Sequence, residues 1–179
     1  MSYFHLTNKV FIRAGYRKYS LSYYKHTNSD IQDRWVFEVL DPKKRRQMKS
    51  LKSTVQWTDL VAMKMKELHA DGITREQVEE SLRQMPFHPA MKRGLINLKE
   101  RNKDIDLVIL SNSNEVYIRT ILEHHKITHL FDSIITNRAS WTEDGCLDLK
   151  RRVDPNGEQH KCVVGCSPNM CKGKDCLFK

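Results

Sequence analysis

The chain has 179 residues and a formal net charge of +9. It has no apolar run approaching the roughly 20 residues of a membrane-spanning helix. Its length suits one ordinary domain, or one domain with a small helical appendage, and its periodic apolar segments argue against wholesale disorder. Residues 1–16 have no continuous apolar stretch with a small-residue cleavage site, so no secretory signal is read there.

Twelve Lys/Arg against four Asp/Glu in residues 1–52 give +8 of the +9. Within this basic leader, residues 1–27 show no clean period, and Tyr16, Tyr19, Tyr23 and Tyr24 sit among Lys, Ser and His. Weak or irregular structure is expected there. A short helix is predicted over 28–40. Asn28-Ser29-Asp30 is its cap region, Ile31, Trp35 and Leu40 share one face, and Asp41-Pro42 ends it. The following Lys43-Lys44-Arg45-Arg46 reads as a solvated helix end, with a nuclear address as the alternative.

A helix is predicted over 55–70, with Thr54 as N-cap, Trp57, Leu60, Val61, Met65 and Leu68 on one face, and Gly72 as the stop. Thr74-Arg75-Glu76-Gln77 is a capping box that opens a helix with the stripe Val78, Leu82 and Met85, and Pro86 halts it. Phe87-His88-Pro89 is a rigid connector in which His88 is structural. A helix over 90–99 carries Met91, Leu95 and Leu98. The run Leu107–Leu110 is then a buried strand, suited to a parallel sheet covered on both faces. A helix over 115–125 and a strand over 133–137 complete a strand–helix–strand unit behind an all-helical block. The fold class is therefore α/β, with a helical cap interrupting or preceding the core.

Ser111-Asn112-Ser113-Asn114 lies where the buried strand meets the next helix. Such a junction holds an anion well: first-turn N–H groups are free, the helix dipole is positive there, and Ser111 adds a hydroxyl donor. The plainer reading is that these residues only cap the helix. Asp104-Ile105-Asp106 has the two-residue carboxylate spacing that phosphoryl transfer uses, but it lies at the strand's entrance. Ligands of open α/β sheets sit at the carboxyl ends, roughly 16 Å along from Asp106. The pair is read as a solvated turn. His160, Cys162, Cys166, Cys171 and Cys176 invite zinc, but no Cys-x-x-Cys pair is present and no metal ligand is assigned. The odd cysteine count in a Lys-rich setting favours a reducing compartment, hence the cytoplasm, with the nucleus left open.

Four stretches in order carry a resemblance: Asn28-Ser29-Asp30; Met65 to Gly72, leading to Met85-Pro86-Phe87-His88-Pro89; Val108 to Asn114; and Gly165 to Gly173, with its Cys166-x-x-x-x-Cys171-Lys172-Gly173. Through them the chain resembles the haloacid dehalogenase superfamily of phosphatases, and within it the phosphoethanolamine/phosphocholine phosphatase-like group. The resemblance implies a partial Rossmann-like core with an inserted helical cap at about 31–100, and Mg²⁺-dependent hydrolysis of small phosphomonoesters through an aspartyl-phosphate. It implies that Ser111 holds a phosphoryl oxygen and that Lys172 balances the charge of nucleophile and phosphate. Asp30 and Asn112 match positions of substrate choice. Many members carry Asp where this chain has Asn112.

The resemblance also predicts a nucleophile and acid just before Asn28, yet those positions are Tyr19 and Leu21, and residues 1–29 contain no Asp. Neither residue replaces a carboxylate. The family's Gly-Asp metal loop is not reached by Lys179. The expectation is a truncated, catalytically impaired form with an atypical leader at 1–27, a cap region at 28–103 and a partial core at 104–179. Its partner would be a small phosphorylated metabolite, not a membrane or nucleic acid. The alternative is a non-enzymatic basic module that binds anions or nucleic acid through residues 1–52. A core short of strands is expected to expose sheet edges.

Overall fold

The computed structural model describes residues 9–14, 17–21, 31–51, 53–154 and 156. It is an α/β fold with one mixed five-stranded sheet in the order β2-β1-β3-β4-β5. The strands are β1 (Lys9–Ala14), β2 (Arg17–Leu21), β3 (Ile105–Asn114), β4 (Ser133–Trp141) and β5 (Leu147–Lys150). The helices are α1 (Ile31–Leu40), α2 (Pro42–Leu51), α3 (Trp57–Ala70), α4 (Arg75–Arg83), α5 (Pro89–Arg101) and α6 (Glu115–His124), with a 3₁₀ turn at Thr128–Leu130.

Two expectations about the leader are corrected. Its described residues are strands rather than irregular chain, and they cover the edge that a truncated core was expected to leave open. β1 pairs antiparallel along β3, from Lys9 opposite Leu110 to Ala14 opposite Ile105, and antiparallel to β2 on its other side. The physical reason is visible in Val10-Phe11-Ile12, a short β-branched and aromatic run that basic neighbours mask in a composition count. The sheet is also not all parallel. Only β3 and β4 run parallel, as the strand–helix–strand unit requires, and β4–β5 is an antiparallel hairpin.

The helical block follows its local chemistry. Thr74 and Gln77 form the capping box at the start of α4, with both reciprocal bonds present. Gly72, at φ +88°, ends α3, and the Ile73 N–H reaches back to the Leu68 carbonyl at 3.0 Å. The N-cap of α3 is Gln56 and not Thr54: Gln56 Oε1 accepts from the Asp59 N–H at 3.1 Å, while the Thr54 hydroxyl donates to the Leu51 carbonyl. The amide side chain is long enough to reach the first turn, and Thr54 is held by the turn that ends α2. The Lys43–Arg46 tetrad lies inside α2, which opens on Pro42 as the first helical residue. His88 is structural, its Nδ1 accepting the Ala90 N–H at 3.1 Å as the cap of α5.

Buried side chains from α1 to α5 and from β3, α6 and β5 form one hydrophobic cluster, with half-buried Ile134, Ala139 and Trp141 of β4 packed against it. Leu60, Leu68, Leu82, Leu107, Ile109, Ile118, Ile121 and Leu122 are all fully buried in it. α6 lies against β3 and β4, α4 against α6 and α1, and α3 against β5. The start of α3 thus comes close to the carboxyl end of the parallel strand pair.

Candidate functional site

β3 does not run straight into α6. Leu110 pairs with Ile135 and Asn114 with Asn137, so residues 111–113 on β3 face only residue 136 on β4. This bulge drops Ser111, Asn112 and Ser113 out of the regular ladder at the carboxyl end of the strand, where bulges commonly re-aim side chains. Ser111 is buried, and its Oγ accepts the Ser113 N–H at 3.2 Å. Its own O–H remains available to donate. Asn114 is the N-cap of α6, with Oδ1 accepting the Tyr117 N–H at 3.0 Å. The plainer capping role therefore belongs to Asn114, while Ser111 and Asn112 lie in the bulge ahead of it.

A bulge leaves backbone carbonyls without ladder partners, and buried ones must find others. Asn137 supplies them. Its Nδ2 donates to the Asn112 carbonyl at 2.7 Å and the Ser113 carbonyl at 2.9 Å, with a longer contact to Thr58 Oγ1 at 3.3 Å. Its Oδ1 accepts the Arg152 N–H at 3.1 Å. Asn137 is fully buried. Next to Thr58, Asp59 is held by the Arg151 guanidinium, whose Nε donates at 2.8 Å. Asp33 of α1 is buried and accepts the Trp57 indole N–H at 2.8 Å. Burial, and then the charge of Asp33, push the Tyr117 phenol well above its ordinary pKa, so this hydroxyl stays protonated and donates to Met65 Sδ at 3.1 Å.

Five buried side-chain atoms around this junction have no hydrogen-bond partner among the described residues: Asn112 Oδ1, Ser113 Oγ, Asn114 Nδ2, Thr136 Oγ1 and Arg152 Nε. Four of the five can donate. Buried polar atoms are nearly always paired, so the concentration is notable, and its donor excess suits an oxygen-rich anion. A Mg²⁺ site is not suited by the same residues. Among the described residues no group of three or more His, Cys, Asp and Glu could hold a metal, and the nearby carboxylates of Asp33 and Asp59 are engaged by Trp57 and Arg151. No catalytic step is therefore assigned to a metal held by these groups.

Ser111 and Asn112 thus lie together on one bulge. Asp30 and Lys172 lie outside the described residues, as do all the zinc-candidate residues from His160 to Cys176. Of the five cysteines only Cys146 is described. It is a free thiol whose pKa burial pushes up. Asp104 and Asp106 are both exposed at the entrance of β3, but only Asp104 lies in a turn: Asp106 is within β3, opposite Arg13 of β1. Sequence reading missed Asn137, Thr58, Asp33 and Arg152. None of the four left a usable signal in the sequence, because Asn137 comes level with the Ser111 bulge only through the register shift between β3 and β4. An open groove of about 470 Å³, lined by His69, Arg75, Glu76 and Asp144, contains none of these residues.

A parallel strand pair with a polar bulge at its carboxyl end and a capped helix behind it defines an α/β protein with the junction where open α/β sheets take their ligands. The chain belongs to the family described as "Putative Phosphatase", whose model matches residues 26–176. It is 34% identical over 142 residues to inorganic pyrophosphatase 1 of Arabidopsis thaliana, covering 79% of this chain and 47% of that protein. It is 29% identical over 145 residues to the human pyridoxal phosphate phosphatase PHOSPHO2, covering 80% of this chain and 57% of that one. A thiamine phosphate phosphatase-like protein of Arabidopsis thaliana is 30% identical over 123 residues, covering 69% and 49%. The chain spans about half the length of the curated relatives it matches. No solved structure matches. The relatives share phosphate-ester or phosphoanhydride substrates by name, and the family agrees with the resemblance drawn from the motifs. Among the described residues no helix is long and apolar enough to cross a membrane.

Proposed function

We propose that this chain holds the phosphoryl group of a small phosphomonoester at the β3 bulge, as a member of a hydrolase family, and that its own turnover is impaired. The observation that carries the reading is the set of buried, donor-rich side chains left without partners around Ser111 and Asn112. In this reading the Ser111 hydroxyl and the first-turn N–H groups of α6 hold phosphoryl oxygens. Lys172 neutralises charge, and Asp30 and Asn112 select the leaving alcohol. The neutral Asn112 lowers preference for an amine-bearing substrate. Residues 28–103 form the cap region and residues 104–179 the partial core, with 1–27 as an atypical leader. A reducing compartment, the cytoplasm, fits the five-cysteine chain.

Mg²⁺ would supply charge neutralisation in the family's route, and the described residues do not fit it. Tyr19 and Leu21 lie in β2, one strand removed from β3. A leucine cannot donate a proton and a phenol is a poor nucleophile at neutral pH. The test measures binding of inorganic phosphate and hydrolysis of phosphoethanolamine and an aryl phosphate with Mg²⁺, each beside Ser111→Ala. Phosphate binding should weaken by about tenfold in the variant, with hydrolysis no faster than the variant's. Hydrolysis that needs both Mg²⁺ and Ser111 would overturn the impairment, and the absence of phosphate binding would overturn the site.

A further inference from the structure

Phosphate recognition by a bulge depends on holding the bulge open in one shape, and in this chain one side chain does so. Residues 111–113 oppose a single residue of β4, so the carbonyls of Asn112 and Ser113 cannot both find ladder N–H groups. Asn137 satisfies both from one carboxamide nitrogen, at 2.7 and 2.9 Å. Those two bonds fix the peptide planes on either side of Ser113, and with them the direction of the N–H groups that face away from Asn137. The same nitrogen touches Thr58 at the start of α3, and the carboxamide oxygen accepts the Arg152 N–H just beyond β5. One buried group therefore ties together the bulge, the first turn of α3 and the segment that follows β5.

We infer that Asn137 is a positioning residue: it sets the Ser111–Ser113 bulge in its phosphate-accepting shape and links that shape to α3 through Thr58. The inference rests on the phosphate-holding reading of the bulge. A carboxamide is required because the same planar group must donate on one side and accept on the other. Aspartate has the right shape but would turn acceptor oxygens onto two carbonyls, and leucine would leave both carbonyls and the Arg152 N–H unpaired.

The test uses the full chain labelled for NMR, titrated with inorganic phosphate at neutral pH. In the unsubstituted chain, saturating phosphate should move the backbone amides of Ser111, Asn112 and Ser113 and also the side-chain carboxamide of Asn137. Asn137→Asp should keep a cooperative melt and lose phosphate affinity by about tenfold or more, with the bulge amides displaced before any phosphate is added. A residue that served stability alone would lower the melt and leave the affinity of the folded fraction unchanged. Wild-type affinity in folded Asn137→Asp overturns the inference. Should that variant not fold, the unsubstituted chain decides: an Asn137 carboxamide unmoved at saturation overturns the inference, and a moved one upholds it. If the unsubstituted chain shows no phosphate response at all, the phosphate reading of the bulge fails first and this inference falls with it.

Discussion

The two ends of β3 are both polar, but charged side chains make up one and neutral side chains the other, to opposite effect. At the entrance, Asp104 and Asp106 are exposed, and Asp132 accepts the Lys99 ammonium at 2.6 Å and the Leu107 N–H at 2.8 Å. Every charge there has a partner or water. At the exit, neutral amides and hydroxyls are buried, and several of their atoms lack partners among the described residues. The spacing of carboxylates would place phosphate chemistry at the entrance, whereas burial and unmet donors support the proposed placement at the exit. Solvated charge is inexpensive and says little, while a buried, unpaired dipole is costly enough to call for a reason.

The sharpest way to break this contrast is to open the exit. Tyr117 is fully buried beneath the bulge, in the first turn of α6. Tyr117→Ala should cost about 3–5 kcal/mol of unfolding free energy, the range for deleting a buried ring. Urea denaturation measures it, and a loss under about 1 kcal/mol would mean that the exit is not a closed core. Asn114→Ala removes the cap of α6 and should cost about 1 kcal/mol. Because Asn114 caps while Ser111 and Asn112 stand ahead of it, this variant should lower the melt with less effect on phosphate binding than Ser111→Ala. Equal losses of binding would erase the division of labour along the loop.

At the entrance, Asp132→Asn keeps the shape and removes the charge. Lys99 first, then the Leu107 N–H, hold the Asp132 carboxyl below the usual carboxylate range. A depressed folded-state pKa adds stability above the unfolded value, and that stability is lost as pH falls through the folded value. The gap between the native chain and Asp132→Asn should therefore be present at neutral pH and close below about pH 4. Its size should stay under about 1 kcal/mol, because the pair is partly exposed and screened. A gap that persists into strong acid would show that the variant acts through packing and not through charge.

Legibility in the sequence followed the range of the interactions. The α4 capping box, the stop at Gly72 and the β3–α6 junction were readable, because each depends on residues a few positions apart. Strand β5 and the two leader strands were not, because their pairing partners lie elsewhere in the chain and their own residues alternate weakly. Ser111 and Asn112 were readable as a motif. Asn137 was not, since its function comes from a register slip that brings it level with the bulge, and nothing in Ile135-Thr136-Asn137 announces that slip. Asp33 was hidden for a related reason. It looks like one more polar residue in the first turn of α1, and only the packing of Trp57 makes it a buried carboxylate.

The smallest expected effect tests the comparison most directly. Asp104→Asn and Asp106→Asn remove the pair whose spacing imitates a catalytic motif. Both residues are exposed, so each change should shift stability by no more than about 0.5 kcal/mol. Phosphate affinity should not change either, since Asp106 lies roughly 16 Å from Ser111 along the strand. Either variant alone would remove one negative charge from a chain that is already basic, so a weak gain in anion binding at low salt is the one electrostatic effect expected. Raising the salt separates that effect from a site effect, because a charge at this range is screened over about 10 Å at 0.1 M. A loss of affinity that survives added salt would place the chemistry at the entrance after all, and the buried amides at the exit would then need a structural explanation instead.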